Sequence, residues 1–249
     1  MVSLKEISAY TDSLLKPEQF KDYCPNGIQV EVVDSVSRIA TAVTASLATI
    51  EAAADIQADL LLVHHGYFWK GEQQSLTGMK GRRIAQLFKN GMSLMAYHLP
   101  LDAHTELGNN AQLAKRLRWN NCSPVSENGL LWQTELQQPV TACEMTQLLS
   151  GALNRDPLHI AGGPIQFSKI GWCTGAAQSY IEEAASLGLQ AFISGEISEH
   201  TTHAARELGI HYFAAGHHAT ERYGIKALGE KLATEFELDH QFLEISNPV

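Results

Sequence analysis

The stretch LLLVHHGYFWKG, residues 60–71, carries four apolar residues straight into two adjacent histidines, His64 and His65, and a glycine. A short apolar run of this kind reads as a buried parallel strand, and open α/β sheets place ligands beyond the carboxyl ends of such strands. Two more segments repeat the pattern. A strand-like run over residues 92–97 leads into HLPLD, with His98 and Asp102, and HYFAAGHHATE ends on His217 and Glu221. If a helix opens near residue 217, the spacing of four sets His217 and Glu221 on one face, with Cβ atoms roughly 5–6 Å apart. On a regular strand, His64 and His65 point to opposite faces, so they serve two ions unless the strand ends there and turns. Pro100 argues that HLPLD is a loop rather than a helical turn.

Three imidazoles and two carboxylates suit Zn, Mn or Fe better than Ca, which takes oxygen shells, or Cu(I), which takes thiolates. Five protein ligands are too many for one open tetrahedral site, but they suffice for two divalent ions about 3.5–4 Å apart that share a carboxylate and a water. Such a pair outweighs the charge of Asp102 and Glu221, invites hydroxide or an anionic small-molecule substrate, and makes hydrolysis the natural reaction class. His98 is open to three roles: a sixth ligand, a general acid/base or a group that orients a ligand. The last two rank above the first. The competing class is a non-catalytic assembly in which metals staple the fold together.

Each element alone has an ordinary reading. A histidine after a strand usually serves the core or the surface, and HxxxE on a helix is usually an exposed pair. It is the combination at three predicted strand ends that carries weight. Tyr67, Phe68 and Trp69 would wall a heterocycle, although aromatic residues beside a strand end more often pack the core. Glu196, His200 and His203 either orient ligands or line an exposed helix. His218 projects away from His217.

The elements that must position these groups alternate in type. Residues 2–15 have apolar residues at helical spacing behind Ser3, a plausible N-cap. Pro25-Asn26-Gly27 marks a turn. Strands are expected over 37–44, 58–63 and 92–97, and helices over 47–55 and 81–90, the order of βαβ units in a mostly parallel sheet. Laying residues 37–66 on residues 168–197 matches seven of 30 positions and the whole strand–helix–strand pattern. GMSLMAYHLPLD, from 91, likewise resembles GIHYFAAGHHATE, from 209. Two related α/β halves follow, an internal duplication with mixed, mostly parallel sheets and a metal site expected in the cleft between them. The halves are drawn at 1–125 and 126–249. Residues 120–165 read as turn-rich with short extended stretches, plus a helix over 143–153.

Composition excludes several classes. The chain has 249 residues, 45% of them hydrophobic and 18% charged, with a formal net charge of −9. It has no long apolar span and no basic-then-apolar leader, so a cytoplasmic location without a membrane partner is expected. Without a basic stripe, a nucleic-acid partner is not expected. Lys80, Arg82 and Arg83 read as a solvated face. The four cysteines lie far apart with no CxxC pair, which argues for buried small side chains rather than disulfides or a thiolate metal knot. GNH[DE] and GxSxG elements are absent, and the single glycine of CTGAAQS is a weak phosphate signal.

Taken in order, PNGIQVE, LLLVHHGYFWKG, HLPLDAHTELGNNAQLA, SGEISEH and AGHHATERYGIKAL resemble the NIF-three-like family, whose bacterial members are called GTP cyclohydrolase I type 2 homologues. The resemblance spans nearly the whole chain. It implies a two-domain α/β fold with duplicated halves, a dinuclear metal centre, and a ring-shaped homohexamer whose sites face an internal cavity. By motif, the family's ligands fall on His64, His65, Asp102, His217 and Glu221. The label does not fix the activity; the expectation is a metal-activated water that attacks carbon or phosphorus of a small, nucleotide-like substrate, with Asp102 or Glu221 bridging the metals and His98 assisting proton transfer.

Overall fold

Leu60, Leu61, Leu62 and Val63 are wholly shielded from solvent, as a strand covered on both faces requires. Burying each such side chain stabilises the fold by roughly 1.5–3 kcal/mol. The computed structural model describes residues 1–249, and around this strand it builds the first of two compact units, residues 1–101 with 224–246. In chain order that unit holds β1 (Val2–Ser3), α1 (Leu4–Leu15), β2 (Gly27–Val30), β3 (Ser35–Val36), β4 (Arg38–Thr44), α2 (Leu47–Asp55), β5 (Leu60–His65), α3 (Gly78–Lys89) and β6 (Ser93–Ala96). α4 (Leu99–Ala103) leads into the second unit, residues 102–223 with 247–249. There follow α5 (Asn109–Arg116), β7 (Ser123–Pro124), β8 (Trp132–Thr141), α6 (Ala142–Leu153), β9 (Leu158–Ile160), β10 (Gln166–Cys173), α7 (Ile181–Ser186), β11 (Ala191–Ser194), α8 (Glu199–Glu207) and β12 (His211–Ala214). α9 (His217–Phe236) begins in the second unit and ends in the first, where β13 (Asp239–Phe242) completes the sheet.

The first sheet has the order β13-β4-β5-β6-β2, parallel except for β2. The second has the order β7-β8-β10-β11-β12-β9, with β10, β11 and β12 parallel. The sequence repeat is a repeat of register. Ile39 faces Leu60 across β4 and β5, and Ile170 faces Ala191 across β10 and β11, each shifted by the same offset. Asp59 Oδ2 accepts the amides of Ser37 and Arg38, and Gln190 Oε1 accepts those of Ser168 and Lys169. The helix ends match as well. Gln57 and Gly188 both turn left-handed, at φ 55° and 73°, before Ala58 N–H donates to Ala53 and Leu189 N–H to Ala184.

Several expectations change. Compactness sets the first division at 101/102 rather than near 125, because α5 packs in the second core and α9 returns the chain to the first unit. HLPLD is not a loop: α4 accepts Pro100 in its first turn, where the missing N–H has no helical partner to lose. Residues 120–165 include the ten-residue β8, disguised by a bulge: Phe167 faces Val140 while Lys169 faces Glu135. Pro139 falls within that bulge, where no ladder donor is needed. Ser3 precedes α1 without a side-chain cap, whereas Ser46 caps α2 by accepting Thr49 N–H, a contact worth about 1 kcal/mol. Lys80 is buried, paired with Glu72 at 3.5 Å and set over the Phe68 ring, so it belongs to no solvated face. Cys24 and Cys173 are buried, but Cys122 is only partly so and Cys143 is exposed; all four are free. No helix is long and apolar enough to cross a membrane.

Candidate metal centre

In the first unit the site grows from the ends of two adjacent strands. β5 stays paired with β4 as far as His65, opposite Thr44, but its pairing with β6 stops at Val63. The carbonyl of Tyr97, just past β6, accepts from His64 Nδ1 at 2.9 Å, which leaves Nε2 with its lone pair. Thr44 Oγ1 lies 3.3 Å from His65 Nδ1. Supported on one side only, the strand end lets the two rings approach, with centroids 4.5 Å apart. Strict alternation is therefore lost here, and His64, His65 and His98 each bring a ligand nitrogen within 4.8 Å of the others.

The PNGIQ segment explains how this corner holds its shape. Asn26 Oδ1 accepts the amide of His98 at 2.8 Å, and its Nδ2 donates to Asp22 at 2.9 Å. Gln29 grips Tyr67 from both ends of its amide, accepting from Tyr67 N–H and donating to the Tyr67 carbonyl. Gly66 leaves room for this grip, because a Cβ there would overlap the Gln29 amide and crowd the Ala96 methyl. Asp22 Oδ1 meets His98 Nδ1 at 2.7 Å. Burial opposes the Asp22 charge, yet hydrogen bonds from His98 and Asn26 outweigh it and hold the carboxyl at about 2. Of the aromatic trio, Tyr67 is buried and donates to the Ala45 carbonyl, and Phe68 packs on the core. Trp69 alone borders the imidazoles, 5.0 Å from His98 and edge-on to it.

In the second unit, α9 opens directly after Gly216 and presents His217 and Glu221 one turn apart. Glu221 is 2% exposed and Asp102 6%. Their oxygens lie within 4.8 Å of each other, although burying a carboxylate is costly unless it is paired. Asp102, on α4, accepts from Asn109 Nδ2 at 2.7 Å, and Asn110 of the same motif donates to the Asp102 carbonyl. His217 stands between two carboxylates, with Nδ1 2.7 Å from Glu196 and Nε2 2.9 Å from Glu221. Burial pulls the imidazole down, but Glu221 and then Glu196 outweigh it and raise it to about 9. Cys173 lies wholly buried near both carboxylates; burial first, then Asp102 and Glu221, push its thiol far up, so it stays neutral.

Gly175, at φ 70°, is where the CTG turn requires its glycine: a Cβ would overlap the Glu221 carboxylate. The turn's amides are already engaged, Gly175 N–H with Thr220 Oγ1 and Ala177 N–H with Ser194 Oγ, so it forms no phosphate cradle. Glu196 holds His217 as one of its two expected readings proposed. His203 instead pairs with exposed Glu199, and His200 is exposed on α8. The His218 amide donates to the Val249 carbonyl. Sequence reasoning missed Asp22, Asn109 and Thr174, whose hydroxyl donates to Asp102 at 3.4 Å, and it took Asn26 only as a turn residue; their one signal is polar side chains inside the quoted motifs or, for Asp22, close before one.

Comparison with known proteins decides the family. The model described as Duf34/NIF3 (NGG1p interacting factor 3) matches residues 2–248. The chain belongs to the Duf34/NIF3 family. A Vibrio cholerae relative named "GTP cyclohydrolase 1 type 2 homolog" is 56% identical over 252 residues, 98% of each chain. An Allochromatium vinosum relative of the same name is 52% identical, covering 100% of this chain and 98% of that one. Among solved structures, the protein ybgI, titled as of unknown function, superposes at a TM-score of 0.95 with 45% identity over all of both chains. A Thermus thermophilus protein superposes at 0.88 with 30% identity, again over all of both chains. The mixed α/β architecture with two mostly parallel sheets is thus that of Duf34/NIF3 structures, and the chain carries candidate metal-ligand groups.

Proposed function

We propose that this Duf34/NIF3 protein holds two divalent ions (Zn, Mn or Fe) on His64, His65, Asp102, His217 and Glu221, and hydrolyses a small, anionic, nucleotide-like substrate. The observation that carries the reading is the convergence, inside each unit, of side chains that have little other reason to be buried together. Three imidazoles meet at one set of strand ends; two buried carboxylates and an imidazole meet in the other unit. The donors fit borderline cations. The five are nitrogen and oxygen donors, and the His217 ring already faces the buried Glu221 carboxylate with Nε2 at 2.9 Å. Hydrogen bonds on the Nδ1 atoms of His64 and His217 set their orientation, as ligating imidazoles require.

Bound divalent ions supply a water acidified towards neutrality and a positive field for an anion. The chain supplies the rest. Asp102 and Glu221 balance part of that charge, His98 takes up or returns a proton beside the reacting atom, and Trp69 shields one flank from water. The name shared by the relatives puts GTP first among substrates to try. We also propose the ring-shaped homohexamer implied by the resemblance, which sedimentation at six times the chain mass would support.

The test joins metal analysis to turnover. Protein purified without chelators is expected to carry two ions per chain, and one or none would overturn the dinuclear reading. A screen of GTP, other nucleotides, cyclic heterocycles and phosphoesters with added Mn or Fe, run beside His98→Ala, tests hydrolysis. Turnover that survives metal removal would refute it. Two ions without turnover of any compound would favour the metal-stapled scaffold.

A further inference from the structure

His98 presents a choice that its own position does not resolve: either ring nitrogen can carry the proton, each tautomer leaves the other nitrogen bare, and only the Nδ1–H form leaves Nε2 as the bare one. The surroundings make that choice. Asp22 accepts four hydrogen bonds: from His98 Nδ1 at 2.7 Å, Tyr23 N–H at 2.6 Å, Asn26 Nδ2 at 2.9 Å and Leu99 N–H at 3.0 Å. A carboxylate so surrounded acts as acceptor at both oxygens, so the shared hydrogen sits on His98 Nδ1. The contact is sheltered, with the Asp22 side chain 4% exposed and that of His98 14%. Because Asn26 also fixes the His98 amide, both the backbone and the ring are held by the same short segment.

We propose that Asp22 is a positioning residue that locks His98 as the Nδ1–H tautomer and keeps Nε2 bare beside the His64 and His65 rings. The role deepens, and rests on, the reading of His98 as the proton-transfer group. The ring centroids lie 5.2 Å from His64 and 5.8 Å from His65, so the free nitrogen belongs to the cluster of strand-end imidazoles. The second unit reaches the same arrangement from a different place. Glu196 Oε1 meets His217 Nδ1 at 2.7 Å, yet Glu196 occupies the repeat position of His65, while Asp22 precedes the repeat altogether. Two unrelated carboxylates each fix an imidazole through the same nitrogen, which argues that the outcome, not inherited topology, is what the two contacts share.

Nitrogen-resolved NMR of the full-length, metal-free protein labelled in its histidines tests this directly, with His98 assigned by its loss in His98→Gln. In the neutral ring the expected spectrum has a protonated Nδ1 and an unprotonated Nε2. Asp22→Asn offers an amide donor to Nδ1 and is expected to move the proton to Nε2, as an Asp-to-Asn exchange does in triads. Asp22→Glu is expected to restore the wild-type pattern. A wild-type ring protonated on Nε2, or an unchanged tautomer in a folded Asp22→Asn protein, would overturn the proposal. Should Asp22→Asn fail to fold, the wild-type tautomer and the Asp22→Glu spectrum still decide. Metal content measured on separate preparations of the same proteins, purified without chelators, separates this outcome from the broader reading: the tautomer concerns Asp22, whereas the ion count of the wild type concerns the ligands. Where a substrate is found, Asp22→Asn is expected to lower kcat roughly 10–100-fold, with KM little changed.

Discussion

At matching places in the duplication, the first unit carries His64 and His65 while the second carries Gly195 and Glu196. Thr44, whose hydroxyl lies beside His65, is matched by Gly175, whose missing side chain makes room for Glu221. The backbone is nearly indifferent to this. Register, helix ends and the Asp59 and Gln190 contacts are retained, while the side chains at the strand ends have changed chemical type. One unit has become a source of nitrogen donors and the other a source of carboxylates. A duplicated scaffold keeps its ladders because every residue depends on them, and varies its strand ends because little packing is at stake there.

Breaking the division of labour should give the largest effect. His65→Ala and Glu221→Ala are each expected to leave the protein folded by circular dichroism but to remove at least one of two ions per chain by elemental analysis. Full occupancy in either variant would strike that residue from the ligand set. Next in size is Gly175→Ala, because the left-handed backbone alone costs about 1–2 kcal/mol and the overlap with Glu221 adds to it. Thermal unfolding should fall by several degrees and metal content should drop, whereas an unchanged midpoint would show that the Glu221 carboxylate moves aside freely.

A subtler contrast lies in Asp59 and Gln190, which accept the same pair of amides. Burial opposes the Asp59 charge, but hydrogen bonds from Ser37 and Arg38 prevail and depress its carboxyl below the usual range. The sign follows: the unfolded chain binds the proton more readily, so this stabilisation is complete above the ordinary carboxylate pKa and is lost as pH falls through the depressed value. Asp59→Asn should flatten the acid limb of stability measured by denaturant unfolding between neutral and acid pH. Gln190→Ala should destabilise equally at every pH. The smallest effect is expected of Gln57→Gly, which relieves a left-handed residue where the second unit already uses glycine. A gain of up to about 1 kcal/mol, offset in part by greater freedom of the unfolded chain, is the expected outcome by thermal melting.

Much of the fold was legible because periodicity and duplication are local signals: α2 spans the residues expected of it, and α9 opens at His217. What was hidden depends on contacts distant in sequence. α4 forms despite Pro100, Lys80 is buried by Phe68 and Glu72, and the bulge around Pro139 broke β8 into apparent fragments. At the candidate site, His64, His65, Asp102, His217 and Glu221 were legible only as a combination at three strand ends, since each alone has an ordinary core or surface reading. Asp22 did not, because its partner His98 is 76 residues away and no spacing rule links a loop acid to a strand-end imidazole.

The segment from Phe20 to Asn26 contains neither helix nor strand, yet it sets both the amide and the ring of His98. Selection can therefore reshape the reactivity of this corner through a few loop codons while the sheet beneath stays intact. Divergence among relatives in what they act upon would then be sought first in that short irregular stretch.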